Sequence, residues 1–155
     1  MNGENDGAPS LTVNELFGEA ESRAQRARNA ARRAAAEAAA QFEQEKQNFL
    51  ARPLTEANRQ LFLRRIRTEF EHHEREVMLA SFPSDYCEDG GRHINHQLPG
   101  WEDQLPGYAR RVYEFWRDDL RLGGFEFHAR VISFSPQGIP QDIGLFISWP
   151  DTPLT

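Results

Sequence analysis

A chain of 155 residues has room for one hydrophobic core, not two comfortable domains, and its 11 Phe and 3 Trp argue against disorder throughout. The lone cysteine, Cys87, excludes an intrachain disulfide framework, and no apolar run approaches the roughly 18 residues that would span a bilayer. The net charge of −6 is unevenly spread: residues 22–67 hold eleven basic and four acidic groups, residues 81–155 six basic and eleven acidic.

Residues 1–11, "MNGENDGAPSL", read as a disordered polar leader unlike a secretory signal. With the single thiol this gives the expectation of a cytoplasmic protein. Only Lys46 among 18 basic residues is lysine, and the Arg- and Ala-rich composition fits GC-rich bacterial coding.

From Asn14, which reads as an N-cap, to about Leu50 the composition is strongly helix-forming and lacks Pro. Val13, Phe17, Ala20, Ala24, Ala27, Ala31, Ala34 and Ala38 recur at alternating steps of four and three, a heptad seam. The repeat then shifts by four residues to Phe42 and Phe49, a stutter. Pro53 breaks the helix, and Thr55 reads as the N-cap of a second one running to about Ala80, with Phe62, Leu63, Ile66, Phe70, His73 and Val77 on its apolar stripe. So short a turn predicts an antiparallel, coiled-coil-like hairpin over residues 12–80, the second helix facing the alanines of the first. At 1.5 Å per residue the helices measure about 55 and 39 Å, which leaves Leu16, Phe17 and Ala20 beyond the hairpin, to be covered by the C-terminal part or by another chain.

Residues 82–107 contain three Pro and four Gly and read as a long loop leading into a small α+β unit over 81–155. Residues 108–122 form an amphipathic helix with Ala109, Val112, Tyr113, Trp116 and Leu120 on one face, ended by Gly123-Gly124. Alternation predicts strands at 125–134 and 143–149, joined through the turn "SPQG". Two strands alone are marginal, so a third is expected in "RHINHQ" or from another chain, and Phe146 is left on an open face. The fold class that follows is α+β.

Five groups of residues could carry chemistry. Cys87, His93 and His96, with Asp85 or Asp89, offer a zinc-type ligand set, though at C-x5-H-x2-H the spacing is looser than that of known structural zinc motifs. The same loop could host a thiolate site of Cys87, His93 and Asp85, with Arg92 and His128 as additions. The carboxylates Asp85, Glu88, Asp89, Glu102 and Asp103 do not follow a calcium-loop register. His72 and Glu76 share a helical face without the H-E-x-x-H pattern. Finally, Arg23, Arg26, Arg28, Arg32 and Arg33, with Arg64 and Arg65, form a surface that would attract phosphate backbones without reading sequence.

The plainer reading of the loop is a turn at Gly90-Gly91 whose polar side chains bond its own backbone. That of the arginines is a solvated helix surface. The leading expectation is therefore a non-enzymatic oligomeric structural or interaction module. Its contact runs through Phe17, Ala20, Ala24, Ala27, Ala31 and Ala34, with Phe146 as a further candidate, and binds a second copy or a protein partner without metal or cofactor. Metal-binding or enzymatic chemistry at 85–96 and nucleic-acid association are the alternatives.

Overall fold

The computed structural model describes residues 7–154 and confirms an α+β fold. Two helices, α1 (Val13–Ala51) and α2 (Glu56–Glu71), precede strand β1 (Glu76–Pro83). A 3-10 turn (Ser84–Tyr86), the short helix α3 (Arg92–Asn95) and another 3-10 turn (Trp101–Gln104) lead to α4 (Tyr108–Phe115). This helix runs on through a π turn (Trp116–Leu120) and a 3-10 turn (Arg121–Gly123) into the hairpin β2 (Glu126–Phe134) and β3 (Pro140–Ser148). The chain divides into two compact units, residues 1–45 and 46–155.

The first unit is most of α1. Its cap is Thr12 rather than Asn14: the Thr12 hydroxyl accepts from Glu15 N–H at 3.0 Å, and Asn14 lies within the first turn. No residue of α1 is buried. Residues 1–6 of the expected leader lie outside the described residues; residues 7–11 are without helix or strand.

The second unit begins with the last turns of α1. Phe49 sits among Phe82, Tyr86 and Tyr108 at ring separations of 5.4, 5.3 and 5.8 Å. The helix ends before Pro53, as read. Its final carbonyls are satisfied from α4, where Arg111 donates to Leu50 O at 3.0 Å and Arg52 O at 3.1 Å, a cation placed where the helix dipole favours one. Thr55 caps α2 in a capping box with Asn58.

The second helix does not reach Ala80. It stops at Glu71 in a left-handed turn with His73 at φ 65°, where Glu74 N–H bonds Glu69 O and His73 N–H bonds Phe70 O. His73 is thus an exposed helix terminator and not a core histidine. The Glu76–Pro83 segment that follows is the third strand, and residues 92–95 of "RHINHQ" are helical instead.

The sheet order is β1-β3-β2, antiparallel throughout, so no second chain is needed to supply the central pairing. Ile147 lies between Val77 and Phe127, and Leu145 between Ala80 and Ala129. A bulge between Met78 and Ala80 resets the alternation of β1, which lets Leu79 and Phe82 both be buried. On the covered face α2 packs along β1 and α3 on β2. Phe62, Ile66, Ile94, Val112, Phe115, Ile143, Leu145 and Ile147 belong to one continuous core.

Candidate functional site

The 84–96 segment is built from the turn upward. Gly90 and Gly91 both take positive φ (68° and 87°), as expected of a turn most side chains disfavour, and a Cβ on Gly91 would lie 3.0 Å from Ile143 Cδ1. The turn folds the backbone around Asp89. Its carboxylate accepts from Gly91 N–H at 3.0 Å and His93 N–H at 2.9 Å, and His93 Nδ1 lies 2.6 Å away. Partial burial is the largest single influence on Asp89 and raises its pKa. The hydrogen bonds from His93 and Gly91 and the charge of His93 together outweigh it, so the carboxyl sits below its ordinary range.

Cys87 is buried, and loss of solvation, followed by the charge of Asp89, pushes its thiol up to about 12. It is therefore protonated near neutral pH, the reverse of what a thiolate nucleophile needs. Asp85, Arg92 and His96 are exposed. Among the described residues no three His, Cys, Asp or Glu side chains converge as metal ligands. The segment brings Asp89 and His93 together, and the bonds it makes are those that hold a turn.

His128 lies on β2, away from that turn in the chain. Its Nε2 meets Ser148 Oγ at 2.8 Å and Glu126 Oε2 at 3.5 Å. Both partners use the same ring nitrogen, and among the described residues no carboxylate bonds His128 Nδ1 as a Ser-His-Asp relay requires. On the same sheet face Arg130 lies 3.6 Å from the ring centroid of Phe146 and pairs with Glu76, whose pKa is lowered chiefly by that hydrogen bond. Phe146, expected on an open face, is thereby covered and buried.

Two of the cavities show what escaped the sequence reading. One, of about 320 Å³, is apolar and bounded by Phe70, Phe125, Trp149, Pro153 and Leu154, with Phe70 and Phe125 each 6.4 Å from Trp149 in ring separation. Residues 149–154 help to line it, and their Trp-Pro-Asp-Thr-Pro-Leu composition gives no periodic signal. The other, also about 320 Å³, is polar and lies between Arg59, Arg111, Glu114, Asp118 and Asp119 beside the π turn. A π turn leaves no recognisable pattern in a single sequence.

The remaining candidate surface is α1 itself. Val13, Leu16 and Phe17 are 66%, 48% and 71% exposed. Along the seam Ala20, Ala27, Ala31 and Ala34 are exposed and Ala24 is half-buried. Arg23, Arg26, Arg28, Arg32 and Arg33 are exposed too, with Arg28 held 3.1 Å from Glu21 one heptad earlier. Arg64 and Arg65 are exposed on α2, where Arg65 donates to Leu79 O at 3.1 Å. No helix among the described residues is long and apolar enough to cross a membrane. No protein-family model, curated protein or solved structure matches the chain.

Proposed function

We infer that the protein is a non-enzymatic, self-associating structural or interaction module, acting in the cytoplasm of a bacterium, whose contact surface is the heptad seam of α1. One observation carries the reading. A helix of 39 residues buries none of them, yet it keeps Val13, Leu16 and Phe17 in line with an alanine stripe. In globular proteins most helical stability comes from packing an amphipathic face, and apolar residues repeated at heptad spacing are the pattern of a helix–helix contact. The segment 84–96, with its protonated thiol and a histidine engaged by its own turn, lends less support to the enzymatic alternative.

Light scattering across a concentration series tests this directly. Wild type should exceed the monomer mass of 17.8 kDa, and Phe17→Glu should return it toward the monomer without altering the fold of 46–155. A wild-type mass fixed at the monomer value would sink the reading.

The exposed arginines between Ser22 and Ala36, a stretch with no acidic residue, favour nucleic-acid association as the second reading. It requires binding to duplex or single strands that weakens steeply with salt. Salt-independent binding, or none, would dispose of it.

A further inference from the structure

We propose that the partner of α1 is a second copy of this chain, laid antiparallel against it over residues 13–38 about a two-fold axis between Gln25 and Arg26. This rests on the reading of α1 as the contact surface and adds the partner, orientation and register.

The pairing follows from size and charge together. About that axis Val13 lies opposite Ala38 of the second copy, Phe17 opposite Ala34, Ala20 opposite Ala31 and Ala24 opposite Ala27. Both large seam residues meet alanines, and the middle of the contact is alanine against alanine. Alanine layers let helix axes approach at the short end of the usual range of about 8–10 Å. The paired stretch is about 39 Å long at 1.5 Å per residue.

Charge selects the orientation. Glu15, Glu19 and Glu21 are acidic, and Arg23, Arg26, Arg28, Arg32 and Arg33 follow as a basic block. Beside the seam, the antiparallel register sets Glu21 against Arg28 of the second copy, and its symmetry mate sets Arg28 against Glu21. These two side chains already lie on one edge of the helix, 3.1 Å apart within a single chain. A parallel, in-register pair would instead set Arg23 against Arg28 on both flanks, a like-charge clash. The contact is isologous, so it closes as a dimer and leaves no end to propagate.

Cysteine crosslinking tests the register. In a Cys87→Ala background, A20C and A31C are purified separately, oxidised alone and mixed, and their masses are measured by light scattering. A disulfide needs its Cα atoms within about 7 Å, whereas antiparallel pairing holds the two copies of residue 20 about 16 Å apart along the axis. The expected result is crosslinking in the mixture and in the double variant A20C/A31C, and none in either single variant alone. Crosslinking of each single variant by itself means parallel chains and overturns the proposal. A dimeric mass with no crosslink in any sample overturns the register while leaving the self-association reading standing. A monomeric mass overturns both.

Charge reversal gives a second readout. R28E should weaken the dimer about tenfold, since two attractive exposed pairs become repulsive, and E21R/R28E should restore it. Tighter association of R28E is the parallel outcome and contradicts the proposal.

Discussion

Residues 7–45 and 46–154 hold their conformation by different means. In residues 46–155, three strands and the surrounding helices enclose a core in which Ile94, Val112, Ile143, Leu145 and Ile147 have no exposed surface. In the first unit the helix has Ala, Arg, Gln and Glu at most positions and buries nothing. Its order within one chain rests on intrinsic propensity, a Thr12 cap and side-chain pairs four residues apart such as Gln25–Asn29. Burial makes a unit sensitive to single atoms. Propensity makes it tolerant residue by residue and dependent on whatever covers its apolar stripe. Each substitution below places one unit's rule under strain.

The largest effect belongs to Gly107. It sits at φ 47° and ψ −114°, and a Cβ there would come within 2.3 Å of Leu50 Cα, backbone against backbone. Neither segment can give way, because Arg111, from the helix that Gly107 precedes, already holds the Leu50 carbonyl. Gly107→Val should cost about 4 kcal/mol or more, or abolish folding, in chemical denaturation. Gly90→Val, at φ 68° with open space around it, should cost far less. Equal costs would mean that the close approach is not a constraint.

Leu145→Ala comes next. The side chain is fully buried in the central strand, so its loss should cost about 2–5 kcal/mol, spread by how far the site collapses. The midpoint in urea should fall without a change in slope. Cys87→Ser is smaller, about 1–2 kcal/mol, because a hydroxyl replaces a thiol that is 5% exposed. A cost near zero would show that the new hydroxyl finds a partner.

Asp89 predicts a pH dependence whose sign follows from its lowered pKa. A carboxyl held below its unfolded value of about 3.9 adds stability that is complete above that value and is lost as pH falls through the native one. Asp89→Asn should therefore be less stable than wild type at pH 6, and the gap should close as the solution is acidified below pH ~4. A gap that persists unchanged at low pH would rule out the Asp89–His93 bonds as its source.

The two units also differed in how legible they were. The α+β class, the long first helix, its break at Pro53, the Thr55 cap and the β2–β3 hairpin all carry local signals: propensity, proline, a capping residue, strict alternation. The end of α2 carries none, because His73 takes the left-handed position usually filled by glycine. Without that stop, Val77 extends the helical stripe toward Ala80, and the bulge at Leu79 removes the period of two that would have marked a strand. At the 85–96 segment the residue types were visible but their pairing was not. Cys87, His93 and Asp89 are near in sequence, yet the turn buries the thiol and spends the carboxylate on its own backbone. Arg111 at the end of α1 and Arg130 over Phe146 are contacts between distant segments, which no spacing rule reports.

The smallest effect is the most telling for the first unit. Ala36 lies on the side of the helix away from the seam, is exposed and sits mid-helix, so Ala36→Gly uncovers no buried surface. Its cost is the propensity difference alone, about 1 kcal/mol, borne by the helix. If the first unit stands on propensity, that loss appears as lower helical ellipticity and faster amide exchange around residue 36, while the urea midpoint of the 46–155 core stays within error of wild type. Ala31→Gly carries the same intrinsic cost at a seam position. In the monomer the two should be equivalent. If a second copy covers the seam, Ala31→Gly should also alter the dissociation constant, and Ala36→Gly should change it only through the helix that both share. Equal effects of the two on self-association would mean that the seam is not where the copies meet, and a shift of the core midpoint by either would mean that the two units do not obey separate rules.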